Sequence, residues 1–355
     1  MWIFLLLSAG LFMGWSLGTN DAANAFGTAV ATRVVKYRTA VIIIAVMVLL
    51  GAALLGHNNI DKLSSIATNN EVVASPEDVD AAIEAGNLEE LRLKSALKAF
   101  IIFACAALTV FVMSYLKFPV SANQSITGAV IGWGLCYANY SDPAVKSGNI
   151  AEMLEFASTW IINPVGAALI SFALVFIVKR FIEKKLTSMK NYDTIVKLGY
   201  LAAGAFSAFS IGQNSSASVT AFYYDATNQG ANLLTSARLT AIMGGVAIAV
   251  GVLTFSKRVM MTVGGSIAEI SQVDGFMVII ASALTVILMG KWMGIPVSTS
   301  QSVVGAVVGA GLVNGPKTVN FGVFKRIAIA WVSSPTVAGI LTYIVAIATK
   351  SYFGA

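Results

Sequence analysis

The chain has 355 residues, of which 57% are hydrophobic and 11% charged, and its formal net charge is +6 at pH 7. Soluble domains carry about 25% charged residues, so this composition excludes an ordinary soluble protein and predicts an integral membrane protein. The two cysteines, Cys105 and Cys136, lie in apolar runs and exclude a disulfide framework or a cysteine-rich metal site.

A hydropathy window of about 20 residues predicts about ten membrane spans. They cover residues 2–32, 39–57, 96–116, 118–138, 152–178, 198–228, 233–256, 273–291, 295–313 and 326–348. The first and the sixth are longer than one straight crossing requires, and each carries a glycine followed by polar residues at its middle. We therefore expect both to be broken helices.

The distribution of lysine and arginine places both chain termini outside, because cytoplasmic loops are enriched in these residues. The acidic segment 58–95 then lies on the external face. Within it, residues 75–78 (Ser-Pro-Glu-Asp) are typical of a helix start, and Gly86 and Asn87 of the end of that helix and the start of the next. A charged helical face of this kind is usually solvated, and we assign it no catalytic role.

Internal comparison indicates that the chain is duplicated, since three blocks recur in the same order. The aligned pairs are GLFMGWSLGTNDAANA (10–25) with GAFSAFSIGQNSSASV (204–219), FPVSANQSITGAVIGWGL (118–135) with IPVSTSQSVVGAVVGAGL (295–312), and WIINP (160–164) with WVSSP (331–335). We predict a first repeat at 1–178, a basic cytoplasmic linker at 179–197 and a second repeat at 198–355.

The first repeat contains an odd number of predicted crossings, so the second enters the membrane from the opposite side and the repeats are inverted. Inverted repeats with discontinuous helices near the bilayer midplane are typical of secondary transporters. The segment before each Pro-Val-Ser motif could turn back within the membrane. We thus expect an all-α polytopic membrane protein with broken helices, re-entrant hairpins and about 10–12 membrane segments.

The polar cluster of the first span contains a carboxylate, that of Asp21. A carboxylate at the bilayer centre costs about 2.5–3.5 kcal/mol, so it needs a partner, and no lysine or arginine lies near it in the first or sixth span. A bound monovalent cation would serve. Side-chain oxygens of Asn20, Asn24 and Asn214, with carbonyls freed by the helix breaks, would complete an oxygen shell.

The Pro-Val-Ser motif places hydroxyl and amide groups at a predicted helix start in each half. Free N–H groups and the helix dipole make such a start suitable for an anion, although no cationic side chain is nearby. The polar residues of these two starts are Ser121, Asn123, Gln124, Ser125, Ser298, Thr299, Ser300, Gln301 and Ser302.

These motifs resemble those of a known family. GTNDAANAFGTAV is similar to the GANDVANAFGT signature of the inorganic phosphate transporter (PiT) family, and PVSANQS and PVSTSQS are similar to its hairpin motif. The resemblance covers nearly the whole chain and implies an inverted-repeat carrier that imports phosphate with sodium or protons, as a homodimer. It implies an ion and substrate centre at Asn20, Asp21, Asn24, Asn214 and Ser215. It also implies phosphate ligands at Ser121, Gln124, Ser125, Ser298, Gln301 and Ser302.

Two departures from the family pattern affect the coupling ion. Ser215 stands where many relatives carry a second Asp, so Asp225 becomes a further candidate sodium ligand. Many relatives also carry His at the positions of Gln124 and Gln301. The single histidine, His57, ends the second span and is interpreted as an interfacial residue. Without a central histidine, sodium is favoured over protons.

We therefore predict a sodium-coupled phosphate importer of a prokaryotic plasma membrane that works by alternating access. Two sodium ions would offset the electrical cost of importing a phosphate dianion, about 4.6 kcal/mol at 100 mV. No motif of an enzyme, cofactor site or nucleic-acid site is evident. The alternatives are a sulfate permease of the same fold, coupled to sodium or protons, and a passive channel or non-transporting receptor.

Overall fold

The fold is helical throughout the part of the chain that the computed structural model describes. That part comprises residues 2–69, 72, 74–116, 120–137, 143–182, 189–224, 234, 236–263, 270–293 and 296–353. It contains α1 (Trp2–Ala31), α2 (Tyr37–Leu55), α3 (Ile60–Asn69), α4 (Pro76–Ala85), α5 (Leu88–Tyr115), α6 (Ala122–Tyr137), α7 (Pro143–Ile177), α8 (Met189–Thr220), α9 (Ala237–Phe255), α10 (Lys257–Val263), α11 (Gln272–Met293), α12 (Thr299–Asn314) and α13 (Phe321–Phe353). Each predicted span overlaps one of these helices, which confirms the all-α class.

Several of these helices are suited to a bilayer. Among the described residues, seven helical stretches are long and apolar enough to cross a membrane: Tyr37–Asn59, Leu88–Tyr115, Ala157–Phe181, Tyr192–Tyr223, Ala237–Phe255, Gln272–Trp292 and Phe321–Phe353. Large apolar side chains such as Ile161 and Leu169 point outward, as lipid contact requires. The chain is thus a multi-pass membrane protein.

Helices α6 and α12 are shorter than a bilayer crossing. Each has 16 residues, which at 1.5 Å per residue gives about 24 Å against a hydrocarbon core of about 30 Å. This length is compatible with the predicted re-entrant hairpins. The hairpins, the total of 10–12 segments and the external termini stay predictions.

Helices α1 and α8 run without interruption through their polar clusters, so the prediction of broken helices is wrong. The central glycines serve close packing instead. A Cβ atom on Gly18 would lie 2.0 Å from the carbonyl oxygen of Ile248, and one on Gly212 would lie 2.1 Å from that of Val48. Because the helices are continuous, their backbone frees no carbonyl groups for an ion.

Aligned residues of the two halves make matching contacts. Helix α6 packs on α13, and α12 packs on α7. A Cβ atom on Gly128 would lie 2.1 Å from the carbonyl oxygen of Pro335, and one on Gly305 would lie 2.1 Å from that of Pro164. Each half therefore docks a glycine of its short helix against a proline of the other half. The inverted orientation of the repeats stays a prediction.

The acidic segment forms the predicted helix boundaries. The Oγ atom of Ser75 accepts a hydrogen bond from the N–H of Asp78, whose carboxylate in turn accepts one from the N–H of Ser75, so α4 begins with a capping box. Gly86, with a φ of 71°, ends α4 in the left-handed conformation, and Asn87 precedes α5. At the other boundary, α8 already begins at Met189, inside the predicted linker 179–197.

Candidate ion and phosphate site

The polar segments of α1 and α8 hold the backbone that precedes the two short helices. Nδ2 of Asn20 donates a 2.9 Å hydrogen bond to the carbonyl oxygen of Val120. In the second half, Nδ2 of Asn214 donates to the carbonyl oxygen of Val297 at 2.8 Å, and Oδ1 of Asn214 accepts from the N–H of Val297 at 2.9 Å. These two asparagines therefore position the Pro-Val-Ser motifs, and a further role for them as ion ligands stays a prediction.

The carboxylate of Asp21 lies at a contact between α1 and the start of α12. Its Oδ2 accepts a 2.7 Å hydrogen bond from Oγ1 of Thr299, and its Oδ1 accepts one from Nδ2 of Asn24 at 3.3 Å. The same amide lies 3.1 Å from Oγ of Ser300. Asp21 is only 4% exposed. We call Asp21, Asn24, Thr299 and Ser300 the Asp21 cluster.

The chemistry of the Asp21 cluster suits a hard monovalent cation. Its side chains offer carboxylate, amide and hydroxyl oxygens, which hard cations prefer over sulfur or imidazole ligands. The ion pairs formed among the described residues do not include Asp21. Within the same residues no group of three or more His, Cys, Asp or Glu could hold a metal ion. The negative charge of the Asp21 carboxylate would balance the charge of one monovalent cation.

Serine side chains cap both short helices. Oγ of Ser121 accepts from the N–H of Gln124 at 3.3 Å, and Oγ of Ser298 accepts from the N–H of Gln301 at 3.2 Å. As acceptors, both hydroxyl groups keep a hydrogen with which to donate to an anion.

The other two predicted serine ligands are already engaged as donors. The hydroxyl group of Ser125 lies 3.3 Å from the carbonyl oxygen of Ser121, and that of Ser302 lies 2.7 Å from Oδ1 of Asn163. A phosphate oxygen would have to compete with these bonds. We therefore expect the two capping serines to be better placed than Ser125 and Ser302 as direct phosphate ligands.

The two glutamines of the motif are buried with unpaired polar atoms. Gln124 is 2% and Gln301 1% exposed. Both side-chain polar atoms of Gln124, and Oε1 of Gln301, have no hydrogen-bond partner among the described residues. Such a group costs about 1–3 kcal/mol when it stays unsatisfied, so a polar ligand bound at these two helix starts would relieve that cost.

Two further residues were predicted as ion ligands, Ser215 and Asp225. Ser215 is buried, and its Oγ accepts a hydrogen bond from Nδ2 of Asn214 at 3.2 Å. Asp225 lies outside the described residues. The turn that carries the single histidine packs against α8, since a Cβ atom on Gly56 would lie 2.3 Å from Oγ of Ser216. The interpretation of His57 as an interfacial residue stays a prediction.

Sequence reasoning missed Asn163. Its Nδ2 donates a 2.7 Å hydrogen bond to the carbonyl oxygen of Ser298, and its Oδ1 accepts from Ser302, so it fixes the start of α12 from helix α7. The signal was present, because Asn163 belongs to the WIINP block that revealed the duplication. Its neighbour Pro164 is the residue on which Gly305 packs.

A helical membrane protein with a buried polar centre, formed where two short helices begin beside two long ones, is typical of a membrane transporter. The sequence comparison identifies the kind of transporter. Residues 17–342 match the phosphate transporter family, and the chain belongs to that family.

Relatives and a solved structure agree with this assignment. A predicted phosphate permease of Pyrococcus abyssi is 28% identical over 97% of both chains. The sulfate permease CysP of Bacillus subtilis is 27% identical and aligns over 94% of this chain and 84% of its own. A structure described as the sodium-dependent phosphate transporter has a TM-score of 0.75 at 22% identity, covering 99% of this chain and 100% of that one. The fold is therefore shared over the whole chain.

Proposed function

We propose that the protein imports inorganic phosphate together with sodium ions, by alternating access, as a homodimer in a prokaryotic plasma membrane. The observation that carries this proposal is the position of Asp21. This buried carboxylate, with no ion pair among the described residues, bonds to Thr299 in the first turn of α12, the same turn that presents Gln301. A cation at Asp21 and an anion at Gln301 would thus be neighbours.

Phosphate would be held by neutral donors at the starts of α6 and α12. The donors are the hydroxyl hydrogens of Ser121 and Ser298, the amides of Gln124 and Gln301, and the free N–H groups of the two first turns. Both helix dipoles favour negative charge at these ends. These donors are all neutral, so the positive charge would come from the co-transported sodium.

The nearness of the two sites explains why transport would be coupled. Opposite unit charges about 4 Å apart attract by about 4 kcal/mol at an effective dielectric constant near 20. That corresponds to a change of about 1,000-fold in anion affinity. Sodium in the Asp21 cluster would therefore favour phosphate binding, and phosphate alone would bind weakly.

The matching contacts of the two halves support alternating access. Helix α6 of the first half packs on α13 of the second, and α12 of the second packs on α7 of the first. Equivalent contacts of this kind allow two arrangements of similar energy, in which the same centre opens to one side or the other. The polar centre would lie between these interfaces.

The second candidate is a sulfate permease, because CysP is a relative at nearly the same identity as the phosphate permeases. The unpaired Oε1 atoms of Gln124 and Gln301 favour phosphate. Phosphate keeps a proton near neutral pH and can donate a hydrogen bond to such an acceptor, whereas sulfate can only accept.

Competition in proteoliposomes tests the substrate. We expect uptake of labelled phosphate under a sodium gradient to be abolished by excess unlabelled phosphate and unchanged by the same excess of sulfate. Inhibition by sulfate as strong as by phosphate would favour the sulfate permease. Uptake that does not saturate would indicate a channel, and normal uptake by an Asp21→Asn variant would argue against the ion site.

A further inference from the structure

The Asp21 cluster has a counterpart in the other half of the chain, and the two are chemically different. In the aligned blocks, Asp21 corresponds to Ser215 and Asn24 to Ser218. On the short helices, Thr299 corresponds to Ala122 and Ser300 to Asn123. We call Ser215, Ser218, Ala122 and Asn123 the counterpart pocket.

The contact that defines the Asp21 cluster does not exist in the counterpart pocket. The 2.7 Å hydrogen bond joins Oγ1 of Thr299 to the carboxylate of Asp21. At the matching positions, Ser215 has no carboxylate and Ala122 has no hydroxyl group. The charged residue and the group that bonds to it are therefore both missing.

The polar atoms that remain in the counterpart pocket are neutral and partly unpaired. Oγ of Ser218 and Oδ1 of Asn123 have no hydrogen-bond partner among the described residues. Nδ2 of Asn123 is engaged by the carbonyl oxygen of Val297 at 2.9 Å. These atoms can hold a water molecule or a substrate group, but they offer no negative charge.

Charge decides which of the two positions can keep a cation. A cation that leaves water for a buried site loses its hydration, and an opposite charge there offsets much of that cost. The Asp21 cluster supplies that charge, and the counterpart pocket does not. On this argument, the absence of the second carboxylate leaves one cation site instead of two.

We infer that this transporter binds a single sodium ion, in the Asp21 cluster, and that the counterpart pocket is a neutral polar pocket. The inference rests on the proposed sodium coupling and changes its stoichiometry from the two ions expected for a phosphate dianion. One sodium ion would carry a phosphate monoanion without net charge, whereas the dianion would bring one negative charge inward.

Direct binding of radioactive sodium to the purified protein in detergent, without phosphate, tests the inference. We expect one sodium ion per chain, no sodium bound to an Asp21→Asn variant, and one sodium still bound to a Ser218→Ala variant. Two sodium ions bound to the unmodified chain, no sodium bound to it, or one retained by Asp21→Asn would overturn the inference.

A gain of a second ion is the complementary test. The double variant Ser215→Asp with Ala122→Thr rebuilds in the counterpart pocket the charged contact of the Asp21 cluster, and we expect it to bind two sodium ions. Its elution as a single symmetric peak in size-exclusion chromatography checks the fold. A well-folded double variant that still binds one would contradict the charge argument.

These measurements separate the inference from the proposed function, because they do not involve phosphate. One bound sodium ion without phosphate uptake would refute phosphate import and leave the single cation site standing. Sodium-driven phosphate uptake by a chain that binds two sodium ions would refute the single cation site and leave phosphate import standing.

Discussion

Oγ1 of Thr299 donates a 2.7 Å hydrogen bond to Oδ2 of Asp21, and this bond connects the start of α12 with the middle of α1. Both residues are buried. The bond ties the residue expected to hold sodium to the helix expected to hold phosphate. A sodium ion that binds the carboxylate of Asp21 would therefore also affect the position of α12.

Replacing the hydroxyl group of Thr299 tests the role of this hydrogen bond in sodium binding. We expect Thr299→Val to raise the sodium concentration for half-maximal uptake about 10–100-fold, since a hydrogen bond to a charged group is worth about 1.5–3 kcal/mol. Thr299→Ser keeps the hydroxyl group and serves as the matched control. Sodium dependence of uptake is the measurement, and equal curves for Val and Ser would contradict the role of this bond.

The unpaired amides lead to a second prediction. Gln301→Leu keeps the size of the side chain and removes its polar atoms, so we expect the half-saturating phosphate concentration to rise about 10-fold or more. Gln124→Leu should behave alike, because the two residues are equivalent. Gln272→Leu at the exposed start of α11 is the control. An unchanged phosphate dependence in both motif variants would remove these glutamines from the site.

The sequence predicted the helices and their polar starts, but not the contacts between residues that are far apart in the chain. Apolar length locates α2 and α5, and the Pro-Val-Ser motif locates the starts of α6 and α12. The continuity of α1 was missed, because the carbonyl oxygen that explains Gly18 belongs to Ile248, far along the chain. The pairing of Asp21 with Thr299 is equally non-local, and no local pattern reveals it.

Close helix contacts lead to a third prediction, on stability. A Cβ atom on Gly305 would lie 2.1 Å from the backbone oxygen of Pro164, whereas one on Gly166 would first meet the flexible end of Met289 at 3.4 Å. Overpacking costs about 1–3 kcal/mol, so we expect Gly305→Ala to lower the unfolding temperature in detergent by several degrees. Gly166→Ala is the matched control and should change it little. If Gly305→Ala lowered the unfolding temperature no more than Gly166→Ala does, the close contact between α7 and α12 would not matter for stability.

An ion pair at the end of α7 leads to a fourth prediction. Nζ of Lys179 lies 3.2 Å from Oδ2 of Asp274, which also accepts a 3.0 Å hydrogen bond from Nδ2 of Asn314. Because Asp274 is buried, Lys179→Met leaves an uncompensated carboxylate, whereas Asp274→Asn keeps a neutral hydrogen-bonding group. We expect the lysine variant to lower the unfolding temperature more. The opposite order would contradict this electrostatic account.

The single histidine leads to a fifth prediction, on the coupling ion. If sodium drives uptake, no side chain has to carry a proton, so His57→Gln should keep sodium-dependent phosphate uptake within about twofold of the unmodified protein from pH 6 to pH 8. The measurement is the initial rate of uptake at each pH. Loss of uptake by a well-inserted variant would contradict a merely interfacial role of His57.

Sodium coupling of phosphate transport is tested most directly by the accumulation of labelled phosphate in proteoliposomes with an inward sodium gradient, an inward proton gradient or neither. We predict that phosphate rises above its external concentration only with the sodium gradient. Accumulation driven by the proton gradient, or equal uptake in all three conditions, would contradict sodium-coupled transport.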